Sequence, residues 1–384
     1  MNGSEALLLE EAARTLLSAE DGVRLLPRAA PRDAASETAR CQRAFSLGQK
    51  LVLERDARAP VDLSPVRRAL ARVAEVTRPL GAFGCLHAER AAELELEARL
   101  VESLGTRGLP LLAAERFPTP PPAAARECDV FVTEALALPE EPAEALHASD
   151  DEADPHSLVV RLRARAREVG LSLSVRVSRE QLATAATGTG VVSVRPRVLL
   201  SARAVERIVT HELLGHALPR ARAAYADWTL FRAGTRGAGD DEEGRAILCE
   251  QRGGWLGAER RRELALRHVA ALGVRAGAEP RDSVKRLVEL GAPVARAVEI
   301  AVRVHRGGGL AREIVYLPAY LAVRRAFAAE PALERWFERG RVDLATAQAF
   351  TRAPPPPACD PTASAGAEVE RRSPPAGSAP PARP

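Results

Sequence analysis

Apolar residues recur at three- and four-residue spacing over 4–18, 36–56, 64–77 and 87–104. That period places them on one face of a helix, so the first third of the chain is predicted helical. Leu26-Pro27, Ala59-Pro60 and Gly105 punctuate the segments as turns. Pro118 and the run Pro120, Pro121 and Pro122 then open a proline-rich stretch that leads into an acidic one over 139–155. Residues 118–156 together read as a solvated surface loop. Beyond it, 157–168 suits a helix, and 171–178 alternates apolar and polar residues as a half-buried strand does. A second strand is expected over 191–200, at a sheet edge because Pro196 has no N–H to give to a neighbour. Ser201 can cap a helix from Ala202 to Leu218, which Pro219 should stop. Helical spacing returns to about residue 350, and the final 353–384 hold ten prolines, the composition of a disordered tail. The expected fold is α+β. A helical region over 1–117 packs on a region over 157–352 that carries a small sheet.

Composition narrows the function classes. Fifty-five basic residues against 51 acidic ones leave a net charge of +4, too even to favour nucleic acid or a membrane surface. Aromatics at 4% argue against base-stacking platforms. Five isolated cysteines, with no CxxC pair, disfavour a disulfide framework or a cysteine-built metal site. The start of the sequence reads as an amphipathic helix rather than a signal peptide, and no apolar run approaches a membrane span. A cytoplasmic protein is expected.

Chemistry concentrates in THELLGHALP, 210–219. His211 and Glu212 are adjacent, and His216 follows His211 by five residues. Zinc peptidases commonly space such histidines by four, so that both rings share a helix face. Five residues of ideal α-helix would leave the second ring roughly 140° away. A π-bulge, or an end to the helix at His216, would bring the rings together, and Gly215 and Pro219 make either distortion cheap. A third ligand is expected from DDEEGRAILCE, 240–250. There Glu243 can face inward while Glu242 points elsewhere, and Glu250, two turns on, could orient a ligand from behind. The remaining histidines, His87, His147, His156, His268 and His305, have no partner pattern.

Three blocks in order, HELLGH, EEGRA and the pair RVHRGG (303–308) and AREIVYLPAYL (311–321), resemble one family. Its bacterial members are labelled flavohemoglobin expression-modulating QEGLA-motif proteins, and its eukaryotic members are the microtubule-associated tyrosine carboxypeptidases. The likeness spans 10–350. It implies a zincin-like metallopeptidase unit with an HExxxH helix and one zinc ion held by His211, His216 and Glu243. It also implies Glu212 as general base, with Tyr316 and Arg312 in the places of the family's tyrosine and lysine. Arg245 stands where the family has leucine, Glu242 where it has glutamine, and the usual Asn-Gly after the second histidine is absent.

The expected activity is release of a C-terminal, aromatic residue from a peptide or protein, with no nucleic-acid or membrane partner. Tyr316 is the candidate second oxyanion donor. Arg303, Arg306 and Arg312 are candidates to grip the terminal carboxylate, and the edge strand at 191–195 could pair with substrate backbone. The alternative is a non-catalytic regulatory or peptide-binding protein that keeps the fold. The retained Glu212 favours the enzyme.

Overall fold

The computed structural model describes residues 2–53, 61–142 and 144–355, so most of the expected proline-rich tail lies outside the described residues. The chain opens with helices α1 (Gly3–Val23), α2 (Leu25–Ala29), α3 (Ala34–Ser46), α4 (Ser64–Thr77), α5 (Gly81–Glu102) and α6 (Leu109–Arg116). The helix expected over 36–56 ends at Ser46, and 54–60 lie outside the described residues.

The stretch expected to be a loop contains a sixteen-residue helix, α7 (Pro122–Ala137). Pro122 opens it, at a position where the missing N–H costs nothing. Cys128, Phe131 and Ala135 point inward from it at helical spacing. The proline run signalled a helix start as well as a turn.

A short strand β1 (Leu146–Ala148) and helix α8 (Leu158–Glu168) precede four more strands: β2 (Ser174–Val177), β3 (Ala185–Gly188), β4 (Val191–Val194) and β5 (Leu199–Ser201). The single strand expected over 191–200 is therefore two. Arg197, with φ at 58°, breaks it just after Pro196. β4 is central, parallel to β2 and antiparallel to β3, while β5 pairs with β1 in a separate two-stranded sheet. The expectation that 191–195 forms an edge is overturned, because Pro196 falls beyond the last ladder residue and costs β4 no hydrogen bond. The edges are β2 and β3.

Val192 and Val194 turn from β4 onto a small core with Leu158, Leu162, Val205, Val209 and Leu213. Each such fully buried aliphatic side chain contributes roughly 1.5–3 kcal/mol. The layer seats helix α9 (Ala202–Val209) and the turn that follows. Ser201 caps α9 by accepting from the Ala204 amide. The helix does not stop at Pro219. It passes through a π-helical segment, Thr210–Ala217, into α10 (Leu218–Ala223).

The rest is helical: α11 (Leu230–Ala233), α12 (Ala238–Arg252), α13 (Ala258–Arg275), α14 (Pro280–Glu289), α15 (Val294–Val304), α16 (Arg306–Gly309), α17 (Tyr316–Ala329), α18 (Glu334–Arg339) and α19 (Leu344–Arg352). One large core joins Leu9, Leu16 and Leu94 of the N-terminal helices to Ile247, Tyr320 and Trp336. A second joins α3, α5 and α6 to α13–α15. The N-terminal helices thus share their cores with the later ones.

Candidate active site

Helix α12 is the site's backbone, pressed between the π segment and α17. Two glycines set that spacing. A Cβ on Gly215 would sit 2.4 Å from the Ala246 Cβ, and one on Gly244 would sit 2.4 Å from the Ala319 carbonyl carbon. Neither contact can be relieved by rotating a side chain, so both crossings require glycine.

The π segment answers the five-residue spacing. Its i→i+5 hydrogen bonding stacks residues five apart rather than four. The His211 and His216 rings lie with centroids 4.9 Å apart, and their Nε2 atoms approach to 3.3 Å. Pro219 has no N–H for the Gly215 carbonyl four residues before it. That carbonyl accepts from Arg245 Nη1 at 2.9 Å. Arg245 is one of the departures from the resembled pattern, and here it supports the distorted helix.

Glu243 Oε2 is 3.4 Å from His211 Nε2 and 3.6 Å from His216 Nε2. The three donor atoms form a nearly equilateral triangle. A tetrahedral ion about 2.0–2.2 Å from each donor needs donors about 3.3–3.6 Å apart, so His211, His216 and Glu243 could hold one metal ion with little adjustment.

The outer contacts fix those donors. His211 Nδ1 lies 2.7 Å from Glu250 Oε1, and Glu250 in turn accepts from Arg260 Nε and Nη2 at 2.8 and 2.9 Å. His216 Nδ1 faces Glu242 Oε1 at 3.2 Å. Carboxylates behind the imidazoles turn both Nε2 atoms toward the centre. Glu242, expected to point elsewhere, therefore borders the site, and Arg220 grips it through Nε and Nη2 at 2.9 and 3.0 Å. Its adjacency to Glu243 concealed this, because the wide π turn brings His216 within reach of both.

The charges are those of a cage for a cation. Burial alone would lower the His216 pKa, but the charge of Glu242 and contact with Glu243 outweigh it and hold the imidazole at about 10. His211 is raised against the same burial by Glu243 and Glu250. Burial would raise Glu243, yet Arg312 and the two imidazoles hold it well below the usual carboxylate range.

Glu212 is buried, and its Oε2 accepts from Thr187 Oγ1 of β3 at 2.7 Å. The same hydroxyl reaches the Glu212 carbonyl at 3.1 Å, locking strand to helix. Tyr316 opens α17 with its hydroxyl 3.3 Å from Glu243 Oε1 and 2.6 Å from Arg312 Nη1. Arg312 also reaches Glu243 Oε1 at 3.2 Å. The Tyr316 ring is flanked by two guanidinium groups, Arg267 at 4.4 Å and Arg312 at 5.1 Å from its centroid.

The three arginines expected to grip substrate are already engaged. Arg303 and Arg306 converge on Glu313 Oε1 at 2.7 and 3.1 Å, and Arg312 holds Glu243 and Tyr316. Thr187, Arg220, Arg260 and Arg267 were not legible as site residues, since each meets the centre across a long sequence separation without a motif.

The sequence profile of the microtubule-associated tyrosine carboxypeptidases matches residues 49–353, which contain every candidate site residue named above. The chain belongs to this family. No curated protein gave a match. Among the described residues, no helix is long and apolar enough to cross a membrane.

Proposed function

We propose that this member of the tyrosine carboxypeptidase family is a zinc-dependent carboxypeptidase that removes a C-terminal residue, preferably Tyr or Phe. The observation that carries this reading is the triangle of His211 Nε2, His216 Nε2 and Glu243 Oε2, with Glu212, outside that triangle, on the segment that carries both histidines. A purely structural zinc site has no use for that extra carboxylate.

Zinc bound by the three donors would supply a Lewis acid for the scissile carbonyl and lower the pKa of an attacking water to about 7. Glu212 takes the proton from the water and returns it to the leaving amine. Thr187 holds the Glu212 carboxylate in place through Oε2. Glu250 and Glu242 keep the imidazoles turned inward. Arg312 secures the outer oxygen of Glu243 and donates to the Tyr316 hydroxyl, which is the proposed second oxyanion donor. β3, whose Thr187 touches Glu212, replaces 191–195 as the strand offered to substrate backbone. The cytoplasm remains the expected location.

The test is a screen of purified protein against peptides that differ only in the C-terminal residue, with zinc and after chelation. Zinc-dependent shortening by one residue, fastest for Tyr and Phe, is expected. A zinc-bound protein that shortens none of them would favour the regulatory alternative.

A further inference from the structure

Two supports of the site end on one side chain. Arg220 lies on α10, four residues past His216. Its Nε and Nη2 donate to Glu242 Oε1 and Oε2 at 2.9 and 3.0 Å, and its Nη1 donates to the Thr187 carbonyl of β3 at 2.8 Å. Glu242 faces His216 Nδ1, across the ring from the Nε2 that meets Glu243. Thr187 holds Glu212 through its hydroxyl. A single guanidinium therefore joins the carboxylate behind one ligand to the residue that holds the proposed base.

Both partners depend on that link. Arg341 Nε also approaches Glu242, but at 3.7 Å, too long for a hydrogen bond. β3 is a four-residue edge strand, and its ladder runs along β4 on one side. Its other side is tied down at Thr187, by the hydroxyl to Glu212 and by the carbonyl to Arg220. Glu242 stands where the resembled pattern has glutamine. A carboxylate accepts from both arms of the guanidinium fork, whereas an amide has one acceptor oxygen. This departure thus strengthens the grip. The supports of base and ligand come from different elements, β3 and α12, and a misplacement of about 1 Å between them can cost about 10²-fold in rate.

We propose that Arg220 is a positioning residue for the reaction, locking the strand that holds Glu212 to the carboxylate that orients His216. It acts through Thr187 and Glu242 rather than on the reacting atoms. The inference rests on the carboxypeptidase reading and says what keeps its base and its ligand in register.

The experiment is a pair of double-mutant cycles with two readouts. Zinc affinity is measured by chelator competition, and kcat and KM on a tyrosine-ending peptide at saturating zinc. Arg220→Gln should weaken zinc binding roughly 10-fold or more and lower kcat roughly 10–100-fold, with KM little changed. In a Glu242→Gln background the same change should no longer weaken zinc but should still lower kcat. In a Thr187→Val background it should still weaken zinc but lower kcat by less. Arg220→Lys keeps the charge without the fork, and should restore zinc affinity more than kcat. Glu242 is buried, so Arg220→Gln alone strands its charge. If that variant does not fold, Arg220→Lys and the Glu242→Gln background carry the cycles. Zinc affinity, kcat and urea stability falling together in every background would show a merely structural role and overturn the proposal. No change in either readout would overturn it too. The parent reading fails separately. If the unaltered zinc-loaded protein trims no peptide, catalysis is refuted, while the zinc cycle still reports whether Arg220 acts through Glu242. Trimming that is indifferent to Arg220 spares that reading and sinks this one.

Discussion

Two pairs of histidines in this chain share burial and little else. His268 and His305 are 2% and 7% exposed, and His211 and His216 are 9% and 6% exposed. Around the first pair the described residues offer almost no negative charge: burial pulls both imidazoles down to about 4, and the His305 ring meets the Ser283 hydroxyl at 2.8 Å. Around the second pair it places Glu242, Glu243 and Glu250, and the same burial ends with both imidazoles raised. Burial by itself makes a neutral, structural histidine. Ringed by carboxylates, a buried imidazole pair has the charge and the donors that could hold a cation. That contrast marks the second pair as the candidate site without appeal to a motif.

The contrast breaks most completely at the ligands. His216→Ala should take the metal content from one ion per chain to none, measured by elemental analysis after gel filtration. The same change at His268 should leave the metal in place.

The apolar pair gives the next effect, through acid stability. Each folded pKa near 4 lies below the unfolded 6.5, so between those values the unfolded chain binds more protons. Stability is therefore lost as pH falls through that window, by roughly 3 kcal/mol per residue. His305→Gln should remove about that much of the difference between urea unfolding curves at pH 7 and pH 4. The metal-free His216 acts oppositely. Its contribution is complete below 6.5 and disappears as pH rises through about 10.

Smaller effects come from the groups behind the ligands. Glu250→Gln leaves the three donors present but weakens the acceptor behind His211 and unbalances Arg260. Metal affinity should fall roughly 10–100-fold in a competition titration with a chelator. Arg245→Leu restores the residue of the resembled pattern and removes the donor to the Gly215 carbonyl. It should cost about 1 kcal/mol in urea unfolding, a typical net hydrogen bond. A larger loss accompanied by loss of metal would mean that the π segment depends on Arg245.

The chain's own spacing made part of this legible. His-Glu-x-x-x-His stated a geometric problem, and Gly215 and Pro219 carried its solution nearby, because helix distortion is a local property. Glu250 behind His211 followed from helical period. The β4 assignment failed because the place of Pro196 relative to the ladder depends on pairing with β2 and β3, which lie up to about twenty residues back. α7 was hidden by prolines whose meaning changes at the first turn of a helix. The roles of Arg267, Arg303 and Arg306 could not be separated in a chain so rich in arginine. Which carboxylate engages each guanidinium depends on Glu263, one turn before Arg267, and on Glu313, arriving from another element.

The central claim is that a metal socket and an adjacent, unligated carboxylate act together, and Glu212→Gln tests it most directly. The amide is nearly the same size and removes no ligand. Zinc content and peptide turnover should be measured on the same preparation as the unaltered protein. The account predicts an unchanged ion per chain and a rate reduced by roughly 10²–10⁴-fold. Full turnover with the ion retained would contradict it.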